Sequence, residues 1–115
     1  MSLFAVTREA GPKWIDGKGA FDQPGVNDHA AFMNALADDG VVQLAGPLAG
    51  SEAGRIRALV VLDAANEADV HRRLAADPWT RTDRLVTTSV EPWSLIVGAE
   101  RLTAPSTPIE VRRPS

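Results

Sequence analysis

The chain has 115 residues, 44% of them hydrophobic and 23% charged, a composition typical of one soluble globular domain. It has no cysteine, which excludes disulfides and thiolate chemistry, and its two histidines are too few to favour a zinc site. The net charge of −3 and the scattered basic residues argue against nucleic acid as a partner. No apolar run can cross a bilayer and no signal-peptide pattern opens the chain, so we expect a cytoplasmic protein that does not engage a membrane.

The first part of the chain predicts a strand, a long loop and a helix. Residues 2–8 are β-branched and aromatic, as in a strand. Residues 9–25 are polar and glycine-rich, and we interpret this loop, which is longer than most connections, as a flap able to close over a pocket. A helix follows from a cap at Asn27 or Asp28 to Asp39.

The middle of the chain predicts a hairpin and a second helix. Residues 41–50 and 55–64 have the composition of strands, and glycines between them favour a short connection. Asn66 is suited to cap the second helix, which must end near Asp77 because Pro78 disfavours helical geometry in the residue before it.

The order of the elements predicts the fold class. With a last strand at residues 85–93, the order is strand, helix, strand, strand, helix, strand. This order is typical of an α+β, ferredoxin-like βαββαβ domain, in which two helices cover one face of a four-stranded antiparallel sheet. We assign the domain to residues 1–102 and a Pro-rich C-terminal tail to residues 103–115.

The third strand indicates what covers the other face of the sheet. Alternate residues from Ile56 to Leu62 point to one face, while Leu59 and Val61 point to the opposite face. Either these two are merely exposed, or a second sheet covers them. We favour the second interpretation, because a sheet open to water should alternate more cleanly. In so short a chain a second copy must supply that cover, which predicts a symmetric homodimer.

His29 lies at the centre of the apolar arc of the first predicted helix, beside Phe32, Met33 and Leu36. One interpretation is a core histidine whose ring nitrogens bond to backbone or water. The other is a general base, because the positive end of the helix dipole and apolar surroundings both favour the neutral imidazole. A neutral imidazole can take a proton from a ligand.

Asp77 is the candidate partner of this histidine. On the second predicted helix it projects toward the same inner face as Val70 and Leu74. A carboxylate there can hold the imidazole tautomer and stabilise the imidazolium. The alternative, which the local pattern alone favours, is a turn residue before Pro78 that bonds to nearby backbone amides.

Four other residues are candidates for binding a substrate: Gly46, Pro47, Trp79 and Trp93. Gly46 and Pro47 are most simply turn residues, but glycine also lets a ligand approach backbone amides closely. The two tryptophans either pack in the core or an interface, or form aromatic walls of a pocket.

Several motifs occur in a fixed order along residues 3 to about 98. They are His29 with Phe32 and Leu36, Gly40 with LAGPLAG, ANEADVHRRLAADPW, and SVEPW. This ordered set resembles the YciI-like (YCII-related) family of the dimeric α+β barrel superfamily. The resemblance implies a ferredoxin-like domain that dimerises through its sheets into an α/β barrel. It also implies that His29 and Asp77 form a catalytic pair.

The chain departs from the family pattern at two places before the histidine. The loop of residues 9–25 is longer than usual, and Asn27 and Asp28 stand where the family often has an arginine. A substrate contact made by that arginine is therefore not carried over. One line of the family resembles a dehydrochlorinase acting on a chlorinated hydroxyhydroquinone, related in fold to muconolactone isomerases.

These observations predict a cofactor-free and metal-free enzyme of the lyase or isomerase type. His29 would shuttle a proton on a small cyclic or aromatic metabolite, and Asp77 would orient the ring. General acid-base catalysis contributes on the order of 10²–10⁴-fold, so the substrate must be an activated one. The alternatives are a dimeric module that only binds or senses a small molecule, and an interaction domain whose dimer surface is its function.

Overall fold

The structure is a computed structural model that describes residues 2–51 and 55–102. The four strands are β1 (Leu3–Ala10), β2 (Val42–Pro47), β3 (Arg57–Asp63) and β4 (Leu85–Pro92). The helices are α1 (Val26–Asp38), α2 (Glu67–Leu74) and the short α3 (Pro78–Arg81), with 3-10 turns at Ala20–Asp22 and Ala99–Arg101. The predicted tail of residues 103–115 lies outside the described residues, so the boundary at residue 102 stays a prediction.

The strands form one antiparallel sheet in the order β2-β3-β1-β4. The two central strands, β1 and β3, are therefore the first and third along the chain, as the split βαβ arrangement requires. This topology confirms the predicted ferredoxin-like α+β fold, with α3 as an addition between α2 and β4.

The core lies between the sheet and the helices, and β1 supplies it with every second residue. Phe4 and Val6 pack there with Val60 and Leu62 of β3 and with apolar side chains of α2. Arg8 occupies the next inward position of β1 and is only 1% exposed. A charged side chain thus ends an otherwise apolar row, where it requires a compensating partner.

Two helix boundaries differ from the predictions. Helix α1 begins at Val26 and is capped by Gly25, whose positive φ of 79° suits glycine, rather than by Asn27 or Asp28. His29 is consequently the fourth helical residue, one turn inside the helix. Helix α2 has the predicted cap at Asn66 but ends at Leu74 rather than near Asp77.

The predicted dimer depends on the apolar side chains of the sheet face that is turned away from the helices. Val61 and Leu59 of β3 pair with Ala5 and Thr7 of β1 on this face, and Leu44 of β2 lies opposite Val61. Val61 is buried and Leu59 is half-buried by these neighbours, whereas Leu44 is exposed. The predicted orientation of β3 is therefore confirmed. In the described part of the chain, no helix is both long and apolar enough for a membrane span.

Candidate active site

His29 is held at the start of α1 by the neighbouring helix α3. The indole of Trp79 stacks on the imidazole, with ring centroids 4.1 Å apart and planes 9° from parallel. The indole N–H of Trp79 donates a hydrogen bond of 2.8 Å to the carbonyl of Pro24, just before the cap of α1. One tryptophan therefore fixes both the helix terminus and the plane of the histidine ring.

The other partner of the imidazole is Asp77. The Nδ1 atom of His29 lies 2.9 Å from both carboxylate oxygens of Asp77. Because a carboxylate only accepts hydrogen bonds, Nδ1 carries the hydrogen and Nε2 of the neutral ring is an acceptor. The residues are 48 positions apart, and the predicted contact between them is present.

Asp77 is completely buried, and its carboxylate accepts more than the histidine bond. It is the N-cap of α3, where Oδ1 accepts the backbone N–H of Trp79 at 2.9 Å. Its Oδ2 accepts Nη1 of Arg8 at 2.8 Å. The alternative role considered for Asp77, a turn residue bonded to backbone amides, is therefore realised together with the histidine contact rather than instead of it.

Arg8 is the member of this cluster that the sequence did not indicate. It reaches Asp77 from β1, and its Nη2 donates to the hydroxyl of Thr80. Among the described residues its Nε has no hydrogen-bond partner although it is buried. Arg8 supplies a positive charge at the site from β1. The positions before the histidine, where the family often has an arginine, hold Asn27 and Asp28 in this chain.

The buried ion pair makes the free energy of unfolding depend on pH. Burial raises the pKa of the Asp77 carboxyl, but hydrogen bonds from His29, from the Trp79 amide and from Arg8 outweigh it, so the pKa lies below its usual 3.8. A lowered folded-state pKa means that the stabilisation is fully present above about pH 4 and is lost as the pH falls through the folded value.

We therefore expect the free energy of unfolding, measured with urea from pH 7 to pH 2, to fall below pH 4. The variant Asp77→Asn should show a shallower fall, because its side chain does not titrate. Asp69, whose pKa is lowered to about 2 by hydrogen bonds from Ala65 and Arg72, titrates in both proteins and cancels in the comparison. Parallel acid profiles of the two proteins would contradict this prediction.

A cavity of about 190 Å³ opens beside His29 and Arg8. Its remaining described walls are apolar or small, and they come from α1 and from three strands or the segments next to them: Met33, Ala45, Gly46, Pro47, Ile56, Ala58, Val60 and Leu85. His29 itself is 18% exposed. A compact apolar cavity with one imidazole and one guanidinium in its wall suits a small ring that bears oxygen substituents.

The structure brings some of the predicted binding residues to this cavity and not others. Gly46 and Pro47 line it, and a Cβ at Gly46 would meet no atom within 4 Å. Trp79 does not line it, because the indole is buried behind the imidazole on which it stacks. Trp93 lines a separate surface cavity with Ser2 and Leu3, beyond the end of β4.

The described residues hold no group of three or more histidine, cysteine, aspartate or glutamate side chains placed to bind a metal ion. The site as described is therefore built from an imidazole, a carboxylate, a guanidinium and apolar walls. These groups can bind an oxygen-bearing ring and exchange a proton with it.

The fold and this cluster define a class: a small ferredoxin-like α+β protein with a histidine-aspartate pair at an apolar cavity. A model of the YCII-related domain matches residues 3–94 of the chain. The chain therefore belongs to the YCII-related family, which confirms the resemblance seen in the sequence motifs. A search of curated proteins finds no significant match.

Among solved structures, the chain is similar to a 5-chloro-2-hydroxyhydroquinone dehydrochlorinase (TftG) from Burkholderia phenoliruptrix AC1100, which was determined in complex with 2,5-dihydroxybenzoquinone. The two chains are 23% identical, and the match has a TM-score of 0.61 and covers 80% of this chain and 93% of that one. This similarity establishes a common fold.

Proposed function

We propose that the protein is a cofactor-free enzyme of the lyase or isomerase type that moves a proton on a small cyclic or aromatic metabolite. The observation that carries the proposal is the contact of His29 Nδ1 with the buried carboxylate of Asp77 at the edge of an open cavity. Nε2 makes no hydrogen bond to any described residue, which leaves that nitrogen for a ligand.

The three charged or titratable groups have different roles in this proposal. His29 takes a proton from carbon or oxygen of the substrate at Nε2 and returns it to the product. Asp77 fixes the tautomer and stabilises the imidazolium that forms transiently. Arg8 balances the carboxylate charge inside the core, and its place in the cavity wall lets it attract an anionic oxygen of the substrate.

The substrate class follows from the size and chemistry of the cavity. The cavity beside His29 has room for a single ring, and the dehydrochlorinase with the same fold acts on and binds single-ring hydroxylated compounds, as its name and complex state. We infer that this chain takes an enolisable or hydroxylated ring whose C–H or O–H is already acidic.

The homodimer is part of the same proposal. Leu44, Leu59 and Val61 lie on the sheet face that no described helix covers. Pairing of two such faces would bury Leu44 and the exposed part of Leu59, and it would place a second sheet over the strands that also line the cavity. Sedimentation equilibrium tests the proposal, since a chain of 12.3 kDa that dimerises doubles its mass.

Proton transfer can be detected before the substrate is known. The protein would be incubated in D₂O with a panel of activated rings that includes 2,5-dihydroxybenzoquinone and 5-chloro-2-hydroxyhydroquinone. NMR would follow deuterium entering C–H positions, and an electrode would follow chloride release. We expect at least one compound to exchange or eliminate faster with the protein than in buffer.

The binding or sensing module gives the opposite result in the same experiment. It would bind a ring, seen as a rise in melting temperature, and return it unlabelled and unaltered. Recovery of every bound compound without deuterium or chloride release would therefore overturn the enzymatic proposal.

A further inference from the structure

A second cavity lies beside the first, against the long loop that precedes α1. It has a volume of about 360 Å³ and shares two wall residues, Pro47 and Ile56, with the cavity of His29. Its other described walls are Trp14, Gly19, Ala20, Phe21, Leu48, Ala49 and Ser51. The two cavities are therefore neighbours, and a ligand that passes Pro47 and Ile56 would reach from the first into the second.

The loop that forms the outer wall is a built structure. Between β1 and α1 the chain runs through residues 11–25, a connection longer than compact domains usually need. The buried amide of Gln23 closes it from inside, accepting the N–H of Ile15 at 3.0 Å and donating to the carbonyls of Ile15 and Lys18. The loop therefore holds a defined shape beside the site.

The same loop is attached to the histidine through a pair of tryptophans. Trp14 is buried and meets Trp79 edge to face, with centroids 5.7 Å apart and planes at 82°. Trp79 in turn stacks on His29. The wall of the second cavity and the imidazole of the first are thus parts of one packed unit.

Phe21 shows the opposite behaviour to Trp14. It is a large apolar side chain in the second cavity wall, and yet it is 91% exposed. Of the two aromatic residues in the loop that the sequence predicts to be a flap, Trp14 is thus already packed against the domain and Phe21 is not. Phe21 remains the apolar group that a bound ligand would cover, with a gain from the burial of its ring.

We propose that the second cavity is a subsite for an uncharged, apolar substituent of the substrate, such as an alkyl chain or an aryl group. The inference rests on the proposed function, because it places the reacting ring beside His29. The lining supports an apolar occupant: Ser51 is the only polar side chain among its described walls, and none of them is charged. The protein would then prefer a substituted ring to a bare one.

The test compares two probes with the same head group. Under the proposal, 2,5-dihydroxybenzoquinone would occupy the first cavity alone, and the four added carbons of its 3-butyl derivative would reach the second. Each buried methylene favours binding by roughly fourfold at best. We expect calorimetric titration to give at least about tenfold tighter binding of the butyl compound.

Matched variants assign this gain to the second cavity. Phe21→Ser removes the exposed ring, and Ala49→Glu adds a charge to the wall. Their controls are Ile96→Ser, at a residue 86% exposed and outside the cavities, and Ala37→Glu on the exposed side of α1. The two test variants should lose most of the tenfold gain and bind the bare ring as the wild type does, and the controls should keep the gain.

Three outcomes would overturn the inference. Equal affinities for the two probes would remove the subsite and leave the proposed function intact, since the bare ring still binds. A gain that survives Phe21→Ser and Ala49→Glu would place the butyl group elsewhere. Failure of both probes to bind would remove the assumed ring site, and the proposed function and the subsite would fall together.

Discussion

Replacement of His29 by glutamine is expected to lower the rate of proton transfer on any accepted ring by about 10²–10⁴-fold, or roughly 3–5 kcal/mol of transition-state stabilisation. The amide of glutamine can still donate a hydrogen bond to Asp77, so the buried carboxylate keeps a partner and the fold should persist. What the variant lacks is an ionisable nitrogen at the cavity. Exchange of deuterium into the substrate, followed by NMR, measures the loss.

The matched control for this variant is His71→Gln. His71 is the other histidine of the chain, and it lies half-exposed on α2 beside Glu67, away from the cavity. Its replacement should leave the exchange rate unchanged. If His29→Gln retains wild-type turnover, or if both variants lose activity equally, the imidazole of His29 is not the proton carrier.

Replacement of Asp77 by asparagine is expected to destabilise the fold by about 3–5 kcal/mol, because the change leaves Arg8 as an uncompensated charge in the core. Asparagine is as good an N-cap as aspartate, so the cap of α3 is retained and the loss reports on charge. Urea unfolding followed by far-UV circular dichroism gives the free energy of unfolding directly.

A second substitution separates the ion pair from other roles of Asp77. In Arg8→Met with Asp77→Asn neither charge remains, so the double variant should be clearly more stable than Asp77→Asn alone. The control is the ion pair of Arg55 and Asp16, which lies at the surface. Asp16→Asn should change the unfolding midpoint little. A double variant that loses the sum of both single losses would show that the pair is not coupled.

These two predictions distinguish the roles of residues that touch each other. Loss of His29 is expected to lower the rate with little loss of stability, while loss of Asp77 is expected to lower stability first, and the rate through the histidine it orients. The separation arises from burial, since His29 faces the cavity and the carboxylate of Asp77 is completely enclosed.

The fold could be predicted because its determinants are local and periodic. The β-branched and aromatic composition of the strands, the asparagine cap of α2 and the break before Pro78 indicate the elements and their order. The predicted starts and ends of the helices were less accurate. Gly25 caps α1 because a positive φ replaces the expected side-chain cap, and Asp77 belongs to the start of α3 rather than to the end of α2.

The candidate site could be predicted only in part, because its contacts join residues that lie far apart in the sequence. The apolar arc of the first helix indicated His29. Projection on the second helix and the family resemblance indicated Asp77, although the structure places Asp77 at the cap of α3 rather than on α2. Arg8 was missed, since its partner is 69 residues away and no local pattern pairs them. The available signal was its place after Phe4 and Val6 in the inward row of β1.

The position of Trp79 could not be predicted from its sequence context either. Its stacking on His29 requires both the turn that Asp77 caps and the approach of Pro24 at the start of α1. The sequence offered a pocket wall or a core residue as its role. The structure makes it a buried support of the catalytic candidate.

The strand that carries Arg8 anchors the site in the centre of the sheet. Strand β1 is hydrogen-bonded on both sides, to β3 and to β4, and we expect such a central strand to be among the last segments to open in amide exchange. Through Arg8 and Asp77 the imidazole is braced against that strand. The ring is thus held in place before any ligand arrives, as the proposed proton transfer requires.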